Sequence, residues 1–241
     1  DFCLSRGLGD VYKRQDIYGL ENENVNRYDL SAQPWPLITL LRFSTFLSIE
    51  EEIEKCDYLM FSNANIVCDT LITQEEFLPR EDLQEELFVT THPGYQGKSN
   101  VRFPYDRNKK SLAYIPWNCG KDYVIGAMFG GTSRSFIKMS KILKKRIEED
   151  LKNNIIAKWH DESHLNRYIV GRNDVRVLSP SYCYPVGMNV SYEKKISGVS
   201  KQAKFDVKTF KGQYDIKKNS LFKIWNKFCL LYTSDAADDL I

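Results

Sequence analysis

"DYVIGAMFGGTSRSFIKMSKILKKRIEEDLKNNII", residues 122–156, decides the fold. Its opening is a short apolar run of Val, Ile, Ala, Met and Phe, which reads as a buried strand. Gly130-Gly131 reads as a turn, and Thr132 and Ser133 as helix-cap candidates. Beyond them Phe136, Met139, Leu143, Ile147 and Leu151 recur at spacings of three and four. That is the stripe of an amphipathic helix with a charged outer face.

The alternation continues outward in both directions. In "WPLITLLRFSTFLSIEEEIEKC", Leu40, Phe43, Phe46, Leu47 and Ile53 predict one helix over about 37–55. "DYLMFS", 57–62, is too brief for a helix and reads as a buried strand of a parallel or mixed sheet. "IVCDTL" and "LFVTTH" are further strand candidates, a second helix starts near His160, and "VRVLSP" is a strand stopped by Pro180. Residues 93–121, rich in Gly, Asn, Pro and Tyr, read as a long functional loop. Strands alternating with helices give an α/β architecture, a sheet flanked by helices.

The chain has 241 residues, enough for one domain with a sizeable core. Apolar residues at 42% and charged residues at 27% are ordinary for a globular protein. A formal charge of +2 supplies no net basic field for gripping nucleic acid. The lysine-rich run 192–223 is open to two readings, a solvated face or an anion-binding flap. No apolar stretch approaches the ~20 residues of a membrane span. Six cysteines without CxxC or zinc-ligand spacing read as reduced thiols, and a cytoplasmic location is the expectation. "CLSRGLGDVYKRQ" and "LLYTSDAADDLI" resemble translated sequencing-adaptor read-through. Residues 1–15 and 229–241 are therefore expected to be a non-native leader and tail around a domain at 16–228, of which 190–228 is a basic C-terminal tail.

Three stretches carry candidate chemistry. "AKWHDESHLNRYI", 157–169, crowds a tryptophan, two histidines and two carboxylates together. His160 and His164 share a helix face, as in zinc motifs, but the order Asp-Glu-Ser between them is not HExxH. A capped helix start, with Asp161 meeting backbone N–H groups, is the plain alternative. The third reading is a carboxylate, Glu162, stabilising positive charge on a sugar ring stacked on Trp159. "FSNAN", 61–65, sets Asn63, Ala64 and Asn65 directly after a strand, at the sheet end where open α/β folds bind ligands. A plain Asx turn competes with that reading. In "VIGAMFGGT", small residues at 126, 127, 130 and 131 permit close approach of a ligand to the backbone. Neither GxGxxG nor a P-loop is present.

"DYLMFSNAN", "AYIPWNCGKDYVIGAMFGGT", "NNIIAKWHDESHLNRYIV" and "VLSPSYCYP", in one order and register, resemble the glycosyltransferase family of the histo-blood group A and B transferases. The likeness is strongest to the bacterial branch, in which Asn-x-Asn replaces a metal-binding Asp-x-Asp. It implies a GT-A fold, a Rossmann-like mixed sheet flanked by helices, whose first β-α unit is expected to be missing here. It also implies a retaining transferase, with no metal cofactor. Galactose or N-acetylgalactosamine would move from a UDP-sugar to the 3-hydroxyl of a galactose-terminated, optionally fucosylated, glycan. Carried over by position, Glu162 is the catalytic carboxylate and Asp161 bonds the donor sugar. Arg42, Asn63, Ala64, Asn65, Ile125, Gly126 and Ala127 contact the donor, and Ile125 and Ala127 tune donor choice. Lys201 and Lys208 in the tail face the diphosphate. His92 and Trp159 contact the acceptor. Pro104 and Pro185 stand where the mammalian enzymes carry acceptor-contacting residues, so the acceptor does not carry over. With the uracil-contacting segment expected to be absent, an inactive sugar-binding fragment is the alternative function.

Overall fold

The computed structural model describes residues 25–31, 33–187 and 190–199. Three short helical pieces open it: α1 (Leu37–Leu40), α2 (Arg42–Leu47) and α3 (Glu50–Ile53). The single helix expected over 37–55 is thus broken twice. Leu41 sits at φ −82°, ψ 1° and Ile49 at φ −121°, ψ 29°, both outside helical geometry. Thr45 and Ser48 donate their hydroxyls to the backbone carbonyls of Leu41 and Thr45, an alternative to the helical ladder that bends it. The apolar stripe is unaffected, and Leu40, Phe43, Phe46 and Ile53 are buried as expected.

The remaining elements are β1 (Tyr58–Ser62), β2 (Ile66–Cys68), α4 (Gln74–Phe77), β3 (Leu87–Thr91), β4 (Val124–Thr132), α5 (Ser133–Lys152), α6 (His160–Ile169), β5 (Val175–Leu178), β6 (Tyr184–Pro185) and β7 (Ile196–Gly198). The larger described sheet has the order β1-β4-β3-β5. β4 is antiparallel to both β1 and β3, and β5 is parallel to β3. β2, β7 and β6 make a smaller sheet. One face of the larger sheet packs Leu87, Val89 and Phe129 against Phe43, Phe46, Phe136, Leu143 and Leu165 of the helices. The other face packs Phe88 and Met128 against Phe77, Tyr182 and Ile196. This mixed sheet flanked by helices is a GT-A-like fold.

α5 begins as expected, with Thr132 capping it through the Ser135 N–H, and its five stripe residues are all buried. The expected Gly-Gly turn is not there: β4 runs straight through Gly130 and Gly131 into the cap. A Cβ on Gly130 would lie 2.0 Å from the Leu59 carbonyl and 2.5 Å from the Phe88 ring. Glycine is needed because strands and a ring crowd the backbone, not because the chain reverses. Further up β4 the ladder to β3 slips between Val89 and Thr91, a bulge opposite the stretch 125–127.

Candidate active site

The bulge frees Gly126 from the β3 ladder and turns both its backbone groups towards α6 and α2. Its N–H donates to Glu162 Oε2 at 2.8 Å, and its carbonyl accepts from Arg42 Nη1 at 2.7 Å. A side chain here would meet Glu162 Cβ at 3.1 Å, so glycine permits the approach. The same Arg42 nitrogen donates to Asp161 Oδ2 at 2.6 Å, and the guanidinium lies 4.3 Å above the Phe61 ring. Glu162 Oε1 accepts the hydroxyl of Tyr123 at 2.5 Å. Arg42, Gly126, Asp161, Glu162 and Tyr123 thus form one bonded unit drawn from three elements and the residue before β4.

Asn166 fixes the unit's frame. Fully buried on α6, it accepts from Val124 N–H at 3.0 Å and donates to the Val124 and Glu162 carbonyls at 2.9 Å each. Six residues before Asn166 the helix starts abruptly. Trp159 is its N-cap, and His160 takes a φ of +52°, a left-handed geometry uncommon for a non-glycine residue. Trp159 leaves its ring half exposed while Asp161 and Ser163 are buried.

Burial raises the Glu162 pKa to about 7, against the lowering pull of the Tyr123 hydroxyl and the Gly126 N–H. Asp161 is also pushed up by burial, with Arg42 in contact opposing the shift. A carboxyl near its titration point therefore stands beside an ion pair, the kind of poise that marks functional sites. The two carboxylates point to different partners, Asp161 to Arg42 and Glu162 to Tyr123 and Gly126. They do not face each other across one gap, as a glycoside-hydrolysing pair would need to.

The other expected residues fall in several places. Asn63 extends the β1/β4 ladder by one bond, its N–H donating to the Ala127 carbonyl at 2.9 Å, which sets it beside the stretch 125–127. Ala64 is exposed in the turn that follows. Asn65 donates from Nδ2 to the Val199 carbonyl at 2.7 Å, and its backbone carbonyl accepts the Val199 N–H. That amide ties the smaller sheet's end to the chain at Val199, while its buried Oδ1 has no partner among the described residues. His92 is held by the Gly94 N–H on Nδ1, and its ring lies 5.7 Å from that of Tyr123. Burial lowers its pKa. Lys201 and Lys208 lie outside the described residues.

His160 and His164 do not converge as a zinc pair. His160 packs edge-on against Trp35, whereas His164 is buried against Asp150 on α5 at 3.5 Å, with its pKa lowered by burial to about 3. Among the described residues no three His, Cys, Asp or Glu side chains group so as to hold a metal. No described helix is long and apolar enough to cross a membrane. Two residues were not anticipated from sequence: Tyr123, a member of the unit, and Asn166, which frames it. The available signal for Asn166 was an amide one turn after Glu162 on the apolar side of α6; Tyr123 opens the strand run and offers none by itself.

The chain as a whole is similar to known proteins. The family model described as Glycosyltransferase family 6 matches residues 33–208. The O-antigen biosynthesis glycosyltransferase WbnI of Escherichia coli is 33% identical over 180 residues, covering 75% of this chain and 74% of that protein. Histo-blood group ABO system transferase 2 of Rattus norvegicus is 41% identical over 103 residues, 43% of this chain and 31% of that one. Globoside alpha-1,3-N-acetylgalactosaminyltransferase 1 of Gallus gallus is 38% identical over 99 residues, 41% and 29% respectively. The match therefore covers about a third of the length of these vertebrate relatives. Fold and matches together define a hexosyltransferase. The chain belongs to glycosyltransferase family 6.

Proposed function

We propose that this protein is a retaining transferase that moves galactose or N-acetylgalactosamine from its UDP conjugate to the 3-hydroxyl of a galactoside, forming an α-1,3 linkage. The observation that carries the proposal is the Glu162 carboxylate, clamped by Tyr123 and Gly126 and flanked by the Arg42–Asp161 pair. Preorganised groups aimed at developing charge cost no reorganisation at the moment of reaction. As UDP leaves, positive charge grows on the sugar's ring oxygen and anomeric carbon. An ionised Glu162 stabilises that charge, and the acceptor hydroxyl then bonds to the anomeric carbon and passes its proton to the phosphate oxygen freed on the departing UDP. Asp161 bonds the donor sugar, while His92 and Trp159 receive the acceptor.

The diphosphate's charge is met by cations of the chain rather than by a metal. Asn63 and Asn65 are neutral amides where a metal-bridging pair would need carboxylates, and amides are weak divalent-metal ligands that still bond ribose or phosphate oxygens. Lys201 and Lys208 are the cations assigned to the leaving group, and the cytoplasm is the compartment assigned to the protein. Support comes from the α-1,3-transferases among the relatives and from the sequence pattern of the amides. The test is UDP release from each UDP-sugar in excess EDTA, with and without a galactoside. Release that needs the galactoside and yields an α-1,3 product supports the reading. Release only after Mn²⁺ is restored, or equally without acceptor, contradicts it.

A further inference from the structure

Trp117 lies in the long loop 93–121, and its side chain is 59% exposed. A tryptophan left in water forgoes a large burial gain, so its setting matters. The ring is not free. The Arg107 guanidinium lies over the ring, 4.2 Å from its centroid, and 5.2 Å from the centroid of the Tyr105 ring. Arg107 is itself pinned, donating to the Ile115 carbonyl at 2.5 Å and the Asn100 carbonyl at 3.3 Å. The cation holds the indole by its quadrupole while more than half of the residue stays exposed, a fixed aromatic platform.

This platform shares a frame with the candidate active site. Tyr105 is buried against Tyr123 at 5.6 Å between ring centroids, and Tyr123 donates to Glu162. Asp106, the neighbour of Arg107, accepts the Lys158 N–H on Oδ2 at 2.8 Å, which anchors the residue before Trp159. The two exposed indoles therefore hang from one loop segment, Tyr105–Arg107. Val101, next to the Asn100 carbonyl that holds Arg107, is also exposed, at 60%.

We infer that Trp117 is a second sugar-stacking subsite, which receives a pyranose of the acceptor glycan further from the reacting end than the galactose at Trp159. This rests on the transferase reading for the direction of the glycan, though not for the binding itself. A neutral pyranose fits because its axial C–H face is apolar and its hydroxyls stay in water. The cation against the platform, Arg107, has both terminal nitrogens bonded to backbone carbonyls.

The test is calorimetric titration of the full chain with a galactose-terminated trisaccharide and with methyl galactoside, alongside Trp117→Ala and Trp117→Phe. The wild type should bind the trisaccharide more tightly, and Trp117→Ala should shrink that preference by about fivefold, the size of one aromatic contact. Trp117→Phe, which keeps a ring, should retain most of it. Equal loss for both sugars in the alanine variant, or an undiminished preference, would overturn the subsite. Transfer activity is read separately. A chain that shows the tryptophan-dependent preference but no sugar transfer keeps the subsite and sinks the transferase reading alone.

Discussion

Tyr123 donates its hydroxyl hydrogen to Glu162 Oε1 at 2.5 Å, from the residue that precedes the bulged strand. This bond stabilises the ionised form of a carboxyl that burial, against that pull, raises to about 7. Its removal should move the titration in a known direction. In Tyr123→Phe the acid limb of kcat/KM should shift to higher pH than in the wild type, whose own limb lies near 7. Activity at neutral pH should fall about tenfold as the ionised fraction drops and the clamp loosens. A limb that stays put, or moves to lower pH, would remove Tyr123 from the site's electrostatics.

The same carboxyl makes stability depend on pH. Its folded pKa, about 7, exceeds the unfolded value of 4.5. Below 4.5 both states carry the proton and burial costs nothing extra. As pH rises from 4.5 to 7 the unfolded chain ionises first, so stability is lost over that window, by about 3 kcal/mol in order of magnitude. Glu162→Gln removes the titration. Its unfolding free energy should therefore gain on the wild type between pH 4.5 and 7 and hold a constant lead above that. Denaturant curves at pH 4.5 and pH 8 check this, and an equal difference at both would contradict the burial of a neutral carboxyl.

Arg42 and Asp161 form a pair whose side chains are only 14% and 9% exposed. Removing one partner strands the other, at a cost of about 3–5 kcal/mol. Arg42→Met and Asp161→Asn should each destabilise the fold, and the double variant should cost clearly less than the two together. Additive losses in a double-mutant cycle would mean that the contact is not an energetic unit.

The helix over α5 was legible because its stripe is local: each of Phe136 to Leu151 reports its own burial. Gly130 was misread as part of a turn because the reason for it is two chain segments away, at Leu59 and Phe88. Breaks in the helix over 37–55 depend on where Thr45 and Ser48 aim their hydroxyls, which composition does not state. Glu162 and Asp161 stood out in one crowded helix start. Arg42 entered only through family resemblance, since 119 residues separate it from Asp161. Tyr123 escaped notice because a strand-leading tyrosine looks like core, and only the bulge at 125–127 brings Glu162 back over it.

Donor choice should turn on Ala127, which is buried and whose carbonyl is held by Asn63. Blood-group B-type enzymes carry alanine at this position and A-type enzymes glycine, so the resemblance favours UDP-galactose. Overpacking by one methyl costs about 1–3 kcal/mol. Ala127→Gly should therefore raise relative use of UDP-N-acetylgalactosamine about tenfold in a competition between the two donors. A wild type that prefers the acetylated sugar, or a glycine variant that gains nothing on it, would refute the steric account.

The most direct test of the whole account is single-turnover transfer by Glu162→Gln, with UDP affinity measured on the same preparation. The carboxylate's role is confined to the transition state, so UDP should bind within about twofold of wild type while the transfer rate falls by about 10³ or more. A rate within about tenfold of wild type, which is only about 1.4 kcal/mol of barrier, would show that the chemistry does not run through Glu162.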